Sequence, residues 1–107
     1  MMAGGGVIFA RDLPDVPLDA AAEFYTLVPG IRDDFKTHPQ LTLTIVFDPA
    51  GHEHHAWRLA AIQALAREVA PAGRVNGLVG KNSDPVQKAC EWLQKAPGIT
   101  GQLLAVD

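Results

Sequence analysis

Apolar and polar positions alternate most clearly over residues 41–47, LTLTIVF. Leu41, Leu43, Ile45 and Phe47 fall on one side of an extended chain and Thr42, Thr44 and Val46 on the other, the period-two pattern of a β-strand. A second extended segment, residues 74–79 (RVNGLV), sets Arg74 and Asn76 against Val75, Gly77 and Val79. Strands buried on both faces of a parallel sheet usually read as continuous apolar runs. The two patterns therefore predict a sheet well covered on one face and only partly on the other.

Between these strands the period changes to that of a helix. Leu59, Ile62, Ala66 and Val69 recur at helical spacing within residues 54–70, and Pro71 and Gly73 stop the helix. Earlier, residues 7–10 form a short apolar run suited to a buried parallel strand, and the prolines at 14 and 17 mark a loop. Asp19 is the expected N-cap of a helix carrying Phe24, Leu27 and Val28 on one face, broken at Pro29–Gly30. Residues 31–37 add a turn or two before His38 and Pro39. Near the C-terminus, Asp84, Pro85 and Gln87 read as N-cap, first helical residue and capping-box partner. Val86, Ala89, Cys90 and Leu93 make the stripe of that helix, and residues 102–106 form a last strand. The order β-α-β-α-β-α-β predicts a parallel α/β sheet. Residues 1–6, rich in glycine, are expected to be a flexible terminus.

Composition narrows the function classes. At 107 residues the chain is long enough for one core and too short for two. Net charge is −3 and the basic residues are scattered, which argues against a nucleic-acid groove. Cys90 is the single cysteine, so no internal disulfide or cysteine-rich metal site is available, and it reads as a small buried residue on a helix. No apolar run approaches a membrane span and no signal peptide is apparent, so a cytoplasmic location is expected.

Two stretches carry a resemblance. The helix-to-strand passage AREVAPAGRVN, at residues 66–76, resembles the segment of short-chain dehydrogenases/reductases (SDRs) in which a long helix ending "AREVAP" runs into a strand beginning "RVN". The tail GITGQLLAVD is similar to that family's closing "TGQxLxVDGG", with the sequence ending at Asp107 before the glycine pair. The piece EWLQKAPGITGQ is similar to the "FLASDxAxxxTGQ" segment before it. The likeness is good over residues 41–107 and weak over residues 7–40, so only the C-terminal half of the family's domain is matched. It implies a small Rossmann-like α/β fold of two or three layers, with four parallel strands in the order 1-2-3-4 and three helices, forming a single truncated domain. It also implies that the long helix packs against its copy across a two-fold axis.

The functional half of the family pattern does not carry over. The family binds its dinucleotide at a glycine-rich turn that follows the first strand and opens a helix. Here Gly4, Gly5 and Gly6 precede the predicted first strand, and the strands that carry the adenosine half have no counterpart. The family's catalytic tyrosine and lysine would fall near Gly51 and His55, and Tyr25 is the only tyrosine. Asp48–Pro49 stands where the catalytic serine is usual, too few residues separate that strand from the helix, and the lid is trimmed to KNSD. No cofactor and no dehydrogenase activity are expected.

Other constellations weigh against blander explanations. His52, Glu53, His54 and His55 are the densest group of metal-ligand types, but adjacent side chains on a helix diverge by about 100°, which disfavours one ion. Asp33 and Asp34 fit a solvated helix face, and Trp57 and Trp92 fit packing beside apolar stripes. Asp48 follows a central strand, where open α/β sheets place ligands, but better suits a turn or N-cap before the long helix. The leading expectation is a non-catalytic structural or interaction domain, forming a homodimer or pairing with another protein. Its interface would be the strip Ala56, Ala60 and Ala64 with Gln63 and Arg67 beside it. The alternatives are a small-ligand module around Asp12, Asp48 and Lys81, or a small enzyme of unrecognised chemistry. No nucleic acid, membrane or metal partner is expected.

Overall fold

Residues 5–106 are described by a computed structural model. Four strands, β1 (Gly5–Ala10), β2 (Thr42–Phe47), β3 (Arg74–Val79) and β4 (Leu103–Ala105), form one sheet in the order β1-β2-β3-β4. All three neighbouring pairs are parallel, with Val7 opposite Thr44, Ile45 opposite Gly77, and Leu78 opposite Leu104. The expected α/β class and strand order are thus observed. The glycine-rich start divides: residues 1–4 lie outside the described residues, whereas Gly5 and Gly6 belong to β1.

The first crossover contains two helices, α1 (Pro17–Tyr25) and α2 (Val28–Thr37), so there are four α-helices where three helical segments were expected. The break falls at Thr26 and Leu27, before Pro29. Pro29 lies in the first turn of α2, where a missing N–H costs nothing, and Gly30 is carried inside the helix. Asp19 is likewise not a cap. It lies in the first turn of α1, whose N-cap is Val16 with Pro17 at the first position. A single 3-10 turn (His52–His54) leads into α3 (His55–Val69). In α4 (Ser83–Gln94) the N-cap is Asn82 and no side chain caps the helix, so Asp84 serves as a first-turn acid instead.

The sheet is the middle of three layers. Leu41, Leu43, Ile45, Phe47 and Val75 point to the front face, where they meet Phe24 of α1, Ile31 and Phe35 of α2, and Ala61, Ile62, Leu65 and Ala66 of α3. Val46 and Leu78 point to the back face and meet Val86 and Cys90 of α4, with Leu104 and Val106 alongside. The strands step across the sheet in one direction, while the helices of the first two crossovers lie in front and α4 lies behind. The last crossover is therefore opposite in hand to the others, and a uniformly right-handed set does not build this domain. Burial in the back layer pushes the Cys90 thiol up, with nearby Glu91 adding to the shift.

Sequence chemistry fixes how closely the layers approach. An ideal Cβ at Gly77 would meet Leu103 Cδ1 at 2.7 Å and Ile62 Cγ1 at 2.9 Å, so a bare backbone lets α3 seat on β3. β4 pairs with β3 through the backbone, and the segment leading into it is also held by side chains. Asn76, fully buried, donates from Nδ2 to the Ile99 carbonyl (3.0 Å), and its Oδ1 accepts the Gln102 N–H (3.1 Å). The Val75 N–H donates to Thr100 Oγ1 at 3.1 Å, and Gly101 takes φ +73°, a conformation suited to glycine, while bonding to the Val75 carbonyl. The uneven coverage expected from the polar positions of β2 and β3 is not found on those strands, where Thr42, Thr44 and Val46 are buried, and it falls on β1 instead. Asn76 and Leu78 are buried under the last crossover, yet Val7 and Phe9, on the back of β1, are 41% and 56% exposed.

Candidate functional site

The carboxyl ends of β1, β2 and β3 bring Asp12, Asp48 and Lys81 to one end of the sheet, as a parallel arrangement requires. They do not form one constellation. Asp48 directs its carboxylate at the neighbouring loop. Oδ1 pairs with Arg11 Nε at 3.2 Å, and Oδ2 accepts the backbone N–H of Asp12 at 3.3 Å. Asp12 has φ +58°, a left-handed conformation that aspartate tolerates better than most residues. Asp48 therefore secures the turn after β1. It does not cap the long helix, whose N-cap is His54. Lys81 lies on the back side, lining a groove of about 350 Å³ with Val7, Phe9, Arg11, Ser83, Gln87 and Cys90.

A buried arginine supports this end of the sheet and was not singled out from the sequence. Arg58 is 6% exposed and donates from Nη1 to the Asp48 carbonyl at 3.0 Å. Its guanidinium lies 4.8 Å from the Phe47 ring centroid and 5.9 Å from that of Trp57. Among the described residues Arg58 Nε has no hydrogen-bond partner. Burial pushes the guanidinium below its ordinary value, and the charge of Asp48 offsets part of the shift. The signal was available: Arg58 is spaced with Ile62 and Leu65 on the apolar stripe, where a charge must find rings or carbonyls to face.

The histidine group is divided by burial. His54 is 5% exposed, and its two nitrogens are both engaged. Trp57 Nε1 donates to Nδ1 at 3.0 Å, which leaves Nε2 to carry the proton and donate to the Asp15 carbonyl at 2.9 Å. His52, Glu53 and His55 are exposed, and among the described residues no three histidine, cysteine or acidic side chains are grouped to hold a metal. The His54–Trp57 pair instead extends a ring cluster in which Phe24 and Phe47 lie 5.6 Å apart and Phe47 meets Trp57 edge-on at 5.9 Å.

The long helix presents the expected strip. Ala56, Ala60 and Ala64, with Gln63 and Arg67, are all exposed along α3, while Arg58, Ala61, Ile62, Leu65 and Ala66 are buried beneath it. Toward its C-terminal half the strip borders β4, since Gln63 and Arg67 share a shallow depression with Thr100, Gly101 and Gln102. Glu68 is tied to α2 by a two-pronged pair with Arg32, whose second contact is 3.1 Å. That guanidinium holds the Glu68 carboxyl below its ordinary value.

Four parallel strands between helical layers, with loops gathered at their carboxyl ends, define a Rossmann-like α/β domain. A family model described as short chain dehydrogenase-like protein matches residues 8–106, and the chain belongs to this SDR-like family. The match takes in the second half of β1 with α1 and α2, the part where the sequence likeness is weak. No curated protein and no solved structure matches the chain. Among the described residues no helix is long and apolar enough to cross a membrane.

Proposed function

We propose that this SDR-like chain is a non-catalytic structural or interaction module of the cytoplasm that forms a homodimer through α3. The observation that carries the reading is the exposed alanine strip, Ala56, Ala60 and Ala64, recurring every four residues along a helix whose opposite side is fully engaged. Small side chains let a second helix approach closely, and Gln63 and Arg67 beside them supply polar contacts across a two-fold axis. The family resemblance implies the same surface. Support for a non-catalytic role comes from the residues themselves. Tyr25, the only tyrosine, packs edge-on against Phe24 at 5.8 Å and is followed four positions later by Pro29, not lysine. The carboxylate of Asp48 is committed to Arg11 and the Asp12 N–H, which weighs against the ligand reading at the strand ends.

The test is light scattering on the unmodified protein and on Ala60→Glu with Ala64→Glu. The double variant should lose the α3 contact, because two charges per chain would be buried against their copies. A monomeric unmodified protein at tens of micromolar would sink the reading. Titration with NADPH should give no saturable fluorescence or heat change, and low-micromolar binding would overturn the non-catalytic part.

A further inference from the structure

We propose that the outer edge of β1 pairs, antiparallel, with β1 of a second copy, joining two four-stranded sheets into one of eight strands. β1 pairs with β2 on one side, and among the described residues nothing pairs with its other edge. Exposed edges are normally guarded by lysine, proline, a bulge or a covering element. Residues 5–10, GGVIFA, contain no charge and no proline, and their register with β2 runs unbroken from Gly5 opposite Thr42 to Ala10 opposite Phe47. The edge also has an apolar margin. Val7 and Phe9 project from the back face beyond the cover of α4, at 41% and 56% exposure, and form one wall of the groove that reaches Gln87 and Cys90.

Those two features select the occupant. Unpaired backbone groups along a strand are satisfied in register only by another strand. Two free edges exist within the described sheet, at β1 with six residues and at β4 with three. Joining β1 to β4 of the next copy would be parallel and would leave an edge open at each step, giving an unending array. Joining β1 to β1 closes after two copies and uses the longer edge twice. A two-fold axis perpendicular to the sheet keeps the back faces together, so it must pass through a residue and not between two. Centred on Ile8, it sets Val7 opposite Phe9 twice, Gly6 opposite Ala10, and no charge opposite a like charge. Aromatic–β-branched cross-strand pairs are among the favourable ones. Both α4 helices then lie on the same side, with the four apolar side chains flooring the trough between them. Arg11 stays with its own Asp48, 3.2 Å away, and over its own Phe9, 4.7 Å from the ring centroid.

This surface is separate from the α3 strip, which borders the segment before β4 at the opposite edge of the sheet, so the unmodified chain, making both two-fold contacts, is larger than a dimer, and either contact can be lost without the other. The experiment is sedimentation velocity on the Ala60→Glu, Ala64→Glu protein at tens of micromolar, with and without Val7→Lys and Phe9→Lys, folding being checked by circular dichroism. The glutamate variant should sediment at twice the chain mass, and adding the lysines at these exposed positions should halve it. A glutamate variant that is already monomeric overturns the proposal. So does a mass unaffected by the lysines, or an open-ended series of sizes, which would indicate head-to-tail pairing. A chain carrying the lysines alone that is monomeric, beside a dimeric glutamate variant, would discard the α3 contact and leave the edge pairing standing. If the lysine protein fails to fold, hydrogen exchange on the glutamate variant decides. The Val7, Ile8 and Phe9 amides should slow as concentration rises, and concentration-independent exchange overturns the pairing.

Discussion

Phe47→Ala is expected to destabilise the domain by about 3–5 kcal/mol, the range found when a large buried aromatic is truncated. Phe47 is fully buried at the end of β2 and is the hub of the front layer. Its ring meets Phe24 and Trp57 and lies under the Arg58 guanidinium at 4.8 Å. Truncation opens a cavity and also removes the face that Arg58 covers, leaving a buried cation with the Asp48 carbonyl as its hydrogen-bond partner. Against a total stability of about 5–15 kcal/mol for an ordinary domain, the loss is a large fraction. Urea unfolding followed by circular dichroism measures it. A loss under about 1.5 kcal/mol would mean that the ring cluster collapses around the gap and that Phe47 is not its hub.

The second large effect is expected at Asn76. Its side-chain amide stands in for backbone pairing between β3 and the segment leading to β4, and Asn76→Ala would leave the Ile99 carbonyl and the Gln102 N–H without partners. Losing two part-buried hydrogen bonds, at about 0.5–1.5 kcal/mol each, costs about 1–3 kcal/mol. The loss should appear as a lower urea midpoint with an unchanged slope. It should also appear as faster exchange of the Gln102 amide relative to those of β2. Equal protection of both regions in the variant would show that solvent or the backbone replaces the amide without loss.

Asn76 also illustrates what the sequence made legible. The alternation in residues 41–47 predicts β2 within a residue, because Thr42 and Thr44 set one face apart from the wholly apolar one, although both faces are buried. Arg74 and Asn76 signalled a face that is not plainly apolar. That face proved to be buried with its polar atoms paired: Arg74 reaches the Ala96 carbonyl and Thr42 Oγ1, both at 2.6 Å. Sequence spacing cannot distinguish a paired buried polar side chain from a solvated one. Helix ends were read less well, since Asp19 and Asp84 carry cap chemistry yet fall inside first turns, after Pro17 and Ser83. Pro29 reads as a stop after the first helix, yet its local chemistry suits the start of the next equally. Of the candidate site, Asp12, Asp48 and Lys81 share an end of the sheet because strand order alone places them there. Arg11 follows β1 directly and carried the same positional signal, but spacing could not show that it pairs with Asp48. The placement of α4 behind the sheet was one of two options open to a monotone strand order, and tertiary packing chose it.

That placement has a consequence for the order in which a ribosome delivers the chain. The front layer draws its helices from residues before 70, so it can close on β1, β2 and β3 once residue 79 has emerged. Val46 and Leu78 face the other way and receive no cover until Val86, Cys90, Leu104 and Val106 follow. A nascent chain halted between these points presents a nearly complete front and a bare apolar back. Residues 80–106 are therefore a closing panel, and the step that seats them is the one at which a chaperone would have something to hold.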